Sequence, residues 1–524
     1  MNCKQKKGEP QEDLSLREET AWIHLDPEID SVAGISLDRA YDELISENEG
    51  QEVIVAVIDE QVNLRHEDLM GQIYTNPKEI PNNNIDDDNN NYVDDVHGWN
   101  FLGYDKYKYE RFLSYPYIRV IRELEGKYKD KAESDIDPSN LEEYNRYREA
   151  VQRQKLKAED ELYIEPTLRI KAEYYSFIKT FSDRIPGHEN YTIAQLDTLE
   201  IRNEEEKKLV QAMKQNVNYG YTFDYTYKDE ENILIEVFTL NNINYNERAN
   251  IGDDPFDYET QGYGNGNVQA PDHLSHGTQV SGMIAATRNN GVGIRGISNK
   301  IKIMPLVVSP EYGEESDKDL AMAIRYAVDN GAKIINMSNG KEYTENSELL
   351  FSALKYAENN GVLFVTSAGN SGKDIDRPEN VMYLTDTFGQ TDSVSNLIRV
   401  GATTRNLDST LFDPRLNFGK ENVDLFAPGV DITTTDTSIF RYKETSGSSL
   451  SAAMTSGVAA LLLSKYPNLT HVQLKHILME SGTSFDYIVK TREKDSVPFK
   501  ELSKSGKVLN AYNALKMAAS IGTQ

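Results

Sequence analysis

A single cysteine, Cys3, stands in a chain of 524 residues, so no internal disulfide forms and packing alone must hold the fold. Hydrophobic runs are short. None reaches the roughly 20 apolar residues that a membrane-spanning helix needs. Positive charge is also scarce: 56 Lys and Arg against 85 Asp and Glu leave a net charge of −29. That balance argues against nucleic acid or anionic lipid as the main partner. The opening residues Met1-Asn2-Cys3-Lys4-Gln5-Lys6-Lys7 lack an apolar signal region. Cys3 on its polar tether reads in two ways. It is either the lipid-anchored end of an exported lipoprotein whose signal is absent from this sequence, or an exposed thiol in a frayed terminus. The cytoplasm stays open as a location.

What is present is a globular chain, 38% hydrophobic, long enough for about two to four domains. Residues 1–20 are polar and expected to be flexible. The first buried strand is Val53-Ile54-Val55-Ala56-Val57-Ile58, ending in Asp59. An unbroken β-branched run suits a parallel sheet covered on both faces, where ligands gather at the carboxyl ends of strands. Further strands are expected at 301–308, 333–338, 362–367, 397–402 and 423–426, and helices near 317–330, 346–360, 449–465 and 470–481. This alternation predicts an α/β fold with a mostly parallel sheet.

Two stretches interrupt it. In the acidic loop 84–95, oxygen donors recur at alternate positions. Asn84, Asp86, Asp88, Asn90 (through its backbone oxygen) and a closing Asp95 match the spacing of a calcium loop, with Asn89 where glycine is usual. The expectation is one structural calcium ion; the alternative is a solvated Asn/Asp turn. From about 103 to 249 the composition turns to charged, Tyr-rich helical patterns, at 139–162, 167–183 and 192–215. Ser139 and Thr192 each open a capping-box pattern. This reads as an inserted α-helical hairpin or small bundle, either a lid, a docking arm for a protein partner, or a decoration.

The chemistry concentrates in three places. Asp59 ends a strand, His276 begins a helix in His276-Gly277-Thr278-Gln279-Val280-Ser281-Gly282, and Ser449 begins another in Gly447-Ser448-Ser449-Leu450-Ser451. A serine hydroxyl becomes a nucleophile when an imidazole takes its proton and a carboxylate holds that imidazole in one tautomer. Asn370, in Ser367-Ala368-Gly369-Asn370-Ser371-Gly372, is a candidate amide donor to an oxyanion. Each residue alone has an ordinary explanation as a turn former or helix cap. A metal pair at His273 and His276 is set aside, because no acidic ligand follows at zinc spacing.

In this order the stretches 53–59, 276–282, 368–370 and 447–458 resemble the subtilisin family (subtilases, S8-type) of serine proteases. Gly331-Ala332-Lys333-Ile334-Ile335-Asn336-Met337-Ser338, Val400-Gly401-Ala402 and Asp424-Leu425-Phe426-Ala427-Pro428-Gly429 add to the likeness, which covers about 50–102 and 250–483. The resemblance implies a subtilisin-like three-layer fold. Its discontinuous catalytic domain would occupy 21–102 and 250–524, with the helical region 103–249 inserted. It implies a serine endopeptidase acting on extended polypeptides through an acyl-enzyme, with Ser449 as nucleophile, His276 as base and acid, and Asp59 orienting it. Asn370 would donate to the oxyanion. Ser338, Asn339 and Gly340 would pair with substrate backbone, and Ser367, Ala368 and Gly369 would line the pocket before the cut. No cofactor is needed for that chemistry.

Departures from the family pattern are Glu60 and Gln61 after the acid, Gln279, Asn339, Leu450 and Ala453. They motivate the competing expectation of a catalytically degenerate subtilase that binds or scaffolds peptides. A lipase or esterase would need a Gly-x-Ser-x-Gly elbow, which the stretch 447–451 does not provide.

Overall fold

The computed structural model describes residues 21–46, 49–160, 164–181, 183–185, 191–218, 235, 239–389 and 391–521. Cys3 and the rest of residues 1–20 lie outside these. The chain divides into two compact units, one of residues 1–111, 248–311 and 315–524, the other of 112–247 and 312–314.

The larger unit is built on a nine-stranded sheet. Its strands are β1 (Val53–Asp59), β2 (Trp99–Asn100), β3 (Ile301–Val307), β4 (Ile334–Met337), β5 (Leu363–Ser367), β6 (Leu397–Thr403), β7 (Leu425–Pro428), β8 (Thr483–Ser484) and β9 (Lys507–Val508). Their spatial order is β8-β9-β7-β6-β5-β4-β1-β3-β2. Every pairing is parallel except β8 with β9. The architecture is the expected subtilisin-like α/β fold.

β1 shows why its sequence is uniformly apolar. Val53, Val55 and Val57 pack on one face with Val280, Ile284 and Val458, from the helices His276–Ala285 and Ser448–Lys465. Ala56 and Ile58 pack on the other with Leu320, Ile324, Leu350 and Leu354, from the helices Asp317–Asp329 and Ser347–Asn359. Side chains alternate along a strand, so a strand covered twice has no polar position. Burying each large aliphatic side chain contributes about 1.5–3 kcal/mol. From β3 the chain crosses β1 to reach β4 on its other side. This reversal leaves a crevice beyond the carboxyl end of β1, where Asp59 sits.

The helix Ser448–Lys465 is buried at nearly every position, which its Ala, Ser and Gly content permits. Its hydroxyls find partners inside: Ser456 donates to Asn336 Oδ1 at 2.8 Å, Thr455 to the Ser451 carbonyl at 2.8 Å, and Ser451 to the Ala427 carbonyl at 3.0 Å. Buried hydroxyls left unpaired would each cost about 1–3 kcal/mol.

The smaller unit contains the helices Pro116–Tyr128, Leu141–Asp160, Ile164–Phe181, Ile193–Asp197 and Glu204–Asn218. Phe177, Phe181, Tyr174, Leu196, Val210 and Met213 share one apolar cluster within it. Two local expectations differ. Ser139 does not cap. Asp137 accepts from its N–H and hydroxyl, at 2.9 and 2.6 Å, and a short 3-10 turn intervenes before Leu141. The span 192–215 is not one helix. Thr192 and Gln195 do form the reciprocal box, but that helix stops at Asp197. Asn203 then caps a second helix by accepting from the Glu206 N–H at 2.8 Å. A second good cap at Asn203 lets the chain satisfy a fresh set of terminal N–H groups after a turn. Among the described residues no helix is long and apolar enough to cross a membrane.

Candidate active site

Asp59 is fully buried at the end of β1. Its carbonyl accepts from the N–H groups of Val308 and Ser309 at 3.1 and 3.3 Å, which fixes the strand end. Its Oδ1 takes two donors, the Glu60 N–H at 2.8 Å and His276 Nδ1 at 2.7 Å. Oδ2 is buried and has no hydrogen-bond partner. The second bond comes from 217 residues further along the chain. It commits the imidazole to the tautomer whose Nε2 is free to accept a proton.

The helix that carries His276 starts with poor helix formers, so it is held from outside. Its N-cap residue Ser275 makes no side-chain cap. Instead the Glu60 carboxylate accepts the His276 backbone N–H at 3.1 Å. Gly277 lies directly against the strand end: a Cβ there would stand 2.5 Å from the Glu60 carbonyl oxygen and 2.8 Å from that of Gln61. This glycine allows the close approach that brings imidazole to carboxylate.

The electrostatics follow from this packing. Burial lowers the His276 pKa, but the Asp59 charge and hydrogen bond, with smaller contributions from Glu60 and Glu315, override it and raise it to about 9. Burial and the neighbouring Asp59 charge push Glu60 up to about 7. The His276 ring keeps 34% of its side-chain surface exposed, so its free edge reaches solvent.

Ser449 enters from the other side of β1. The register pairs Ile58 with Met337, which places Asp59 beside Ser338 at the next step. Ser338 donates its hydroxyl to the Ser449 carbonyl at 3.1 Å, and the Ser449 hydroxyl donates to the Ser338 carbonyl at 3.0 Å. Asp59 and Ser449 therefore flank the same residue at the carboxyl ends of two adjacent strands. In this arrangement the Ser449 hydroxyl is turned to Ser338 and makes no hydrogen bond to His276. A hydroxyl rotates about one bond, so a change of χ1 redirects it.

Asn370 follows β5 and meets the start of the same helix. Its Oδ1 accepts from the Ser448 N–H at 2.9 Å and the Ser448 hydroxyl at 3.0 Å. Both donors hold the carbonyl side of the amide, which leaves the Nδ2 protons unpartnered and Asn370 exposed. The Gly369 N–H donates to the Ser448 oxygen at 3.0 Å. Ser448 is thus a hub that sequence reasoning missed; its only signal was a hydroxyl immediately before the nucleophile candidate. Ser367 is buried and donates to the Ser338 carbonyl at 3.0 Å, and the Ala368 carbonyl accepts from Asn417 Nδ2 at 2.8 Å. The segment 367–370 is therefore rigidly placed beside 447–449.

Ser338 is buried, Asn339 half-buried and Gly340 exposed. The Asn339 amide is drawn down to Ser309 Oγ and Glu315 Oε1, at 2.5 and 2.7 Å. Its polar side chain belongs to that network, which leaves the backbone of 339–340 as the exposed edge. The other departures are accommodated. Gln279 donates to Ser275 Oγ and Asp436 Oδ1, and Leu450 and Ala453 are buried in the core. Gln61 is buried with neither amide atom hydrogen-bonded.

The acidic loop differs from its expected pattern. Asn89 does adopt the left-handed conformation, with φ of 57°. Asp86 and Asp88 come together, but with Glu79, their carboxylate oxygens all lying within 4.8 Å of one another. Asp95 is not in this group. It turns into the core, where Asn76, Asn90 and Tyr326 donate to its oxygens. Asn84 presents its backbone N–H to Asp94, and the Asn90 side chain donates to Asp95. Glu79 was missed because it precedes the loop. Its Oε1 accepts from the N–H groups of Asp87 and Asp88, which folds the loop back onto it. Glu79 Oε2 and Asp88 Oδ1 are buried without partners.

Known proteins resemble parts of this chain. The chain is 33% identical over 212 residues to a thermostable alkaline protease of Halalkalibacterium halodurans, covering 40% of this chain and 53% of that protein. It is 34% identical over 218 residues to a thermophilic serine proteinase of Bacillus sp. strain AK1, covering 41% of this chain and 50% of the relative. With the cell wall-associated protease of Bacillus subtilis it shares 32% identity over 223 residues, 42% of this chain and 22% of that protein. The matched segments span about half the length of the first two relatives. Residues 50–506 match the Subtilase family, and with the parallel sheet and the residues gathered at its switch point, this shows that the chain belongs to the subtilase family.

Proposed function

We propose that the chain is a serine endopeptidase that cleaves extended polypeptides through an acyl-enzyme. The observation that carries this reading is the 2.7 Å contact between Asp59 and His276, with Asp59 and Ser449 both beside Ser338. In the first half-reaction the Ser449 oxygen bonds to the scissile carbonyl carbon and its proton passes to His276 Nε2. Asp59 stabilises the imidazolium so formed. In this reading the oxyanion takes hydrogen bonds from the Asn370 amide and the backbone N–H of Ser449. Collapse breaks the C–N bond and His276 returns the proton to the leaving amine. Water repeats the sequence to release the acid. The exposed edge at 339–340 supports pairing with substrate backbone as an added strand, and the walls at 367–369 support a pocket for the residue before the cut.

We further propose that Glu79, Asp86 and Asp88 hold one structural calcium ion. Hard oxygen donors suit it, and two orphaned buried carboxylate oxygens call for a cation. The likeness to a cell wall-associated protease supports an exported protein acting outside the cytoplasm.

One observation favours the second reading, a peptide-binding subtilase without turnover: the Ser449 hydroxyl donates to Ser338 and not to His276. A fluorophosphonate probe separates the two. Covalent labelling of the native chain that disappears in Ser449→Ala is expected. A folded native chain that stays unlabelled across the alkaline range would leave peptide binding as its role.

A further inference from the structure

Glu60 occupies a position with no obvious structural need for charge. It is half-buried, follows Asp59 directly, and forms no ion pair among the described residues. Its carboxylate instead accepts the first N–H of the His276 helix at 3.1 Å. Other charged groups near it are accounted for differently. Glu311 is held by Arg111 at 2.6 Å, His273 at 3.0 Å and Tyr109 at 2.5 Å. Glu315 accepts from Ser309 and Asn339. Asp436, on the hairpin against the same helix, accepts from Gln279. The helix Ser448–Lys465 brings no charge to the imidazole; its contribution at this point is Ser449. The charges acting directly on His276 are therefore Asp59, Glu60 and Glu315.

A carboxylate beside another carboxylate, poorly solvated and without a cation, is unfavourable unless something gains from it. The group that gains is the imidazolium. Taking the proton from Ser449 creates a positive ring next to Asp59, and a second negative charge held against the same helix stabilises that ring further. We propose that Glu60 is a positioning residue with two roles, caging the first turn of the His276 helix by hydrogen bond and setting, through its charge, the pH range in which His276 serves as base. The second role rests on reading His276 as the base. The direction agrees with the charge pattern: Glu60 is among the groups that raise His276, and Asp59 in turn raises Glu60.

The test uses the full chain in a Ser449→Ala background, with histidine-selective 15N labelling, so the imidazole titration is read whether or not the protein turns over substrate. Glu60→Gln keeps an acceptor for the helix N–H and removes the charge. Glu60→Asp keeps the charge and shortens the reach. Glu60→Gln is expected to lower the His276 pKa by roughly 0.5–1 unit, with Glu60→Asp near the parent value. In the active chain, Glu60→Gln should move the acidic limb of fluorophosphonate labelling to lower pH, a gain of roughly two- to threefold at about pH 8, where Glu60, itself raised to about 7, is mostly ionised. Glu60→Ser is the second neutral variant should Glu60→Gln fold poorly. A His276 pKa unchanged in a folded neutral variant overturns the proposal. An equal drop in the Asp and Gln variants overturns the role of charge and leaves the hydrogen bond alone. If His276 shifts as expected but the native chain never labels, the endopeptidase reading fails and with it the catalytic role of Glu60, while its electrostatic effect on the imidazole stands.

Discussion

Acylation of Ser449 should quicken with pH well beyond neutrality. If His276 is the base, as proposed, it works only when unprotonated, and its surroundings raise its pKa to about 9. At about pH 7 only about one imidazole in a hundred is then neutral, so the second-order labelling rate should rise about tenfold per pH unit before levelling near pH 9. Measuring fluorophosphonate labelling from about pH 6 to 10 traces this limb directly. Asp59→Asn provides the control. It removes the largest raising influence, so the limb should move down, while the plateau falls by about 10⁴-fold because the wrong tautomer is favoured. Stability should run the opposite way. A histidine whose folded value exceeds its unfolded value near 6.5 contributes stability that is fully present below that value. That contribution is lost as pH rises through about 9. The melting temperature should thus ease downward over the same interval in which labelling accelerates. A limb already complete near neutrality, at the value of an ordinary imidazole, would refute the electrostatic coupling between Asp59, Glu60 and His276.

Three other outcomes are expected. Asn370→Ala should lower kcat by about 10²–10³ with a smaller change in KM, because it removes the proposed oxyanion donor together with the acceptor for the Ser448 N–H and hydroxyl; stopped-flow or steady-state kinetics on a chromogenic peptide checks this. Gly277→Ala forces a methyl against the Glu60 carbonyl, 2.5 Å away. It should cost about 1–3 kcal/mol in denaturant unfolding and about 10²-fold in labelling rate, since the imidazole is pushed from Asp59. Chelation should lower the melting temperature, and calcium at about a hundred times its Kd should restore about 2.7 kcal/mol. Glu79→Gln should blunt this response, whereas Asn84→Ala should leave it intact.

Much of the larger unit was legible from local chemistry. A β-branched run ending in Asp59 reads as a buried strand because no polar side chain interrupts it. Helix starts at His276 and Ser449 are visible from the small residues that allow close packing there. The acidic loop was only half legible. Spacing drew attention to Asp86 and Asp88, whose carboxylates do meet, but with Glu79, while Asp95 turns inward. The inward turn of Asp95 depends on Tyr326, 231 residues away. The break between Asp197 and Glu204 was likewise hidden, since a continuous apolar period does not reveal a competing cap at Asn203.

The sequence by itself determined which groups were available: a carboxylate at a strand end, an imidazole and a hydroxyl at helix starts, and an amide after a strand. These follow from residue type and short-range periodicity, which act within a few bonds. Tertiary structure alone decided their partners. It turned the Ser449 hydroxyl toward Ser338, fastened the Asn370 carbonyl to Ser448, and set Glu60 under the His276 helix. Each of those contacts joins segments more than 75 residues apart. Hydrogen bonds and charge interactions depend on distance in space, and only the crossing of β1 by the later strands brings those distances within reach.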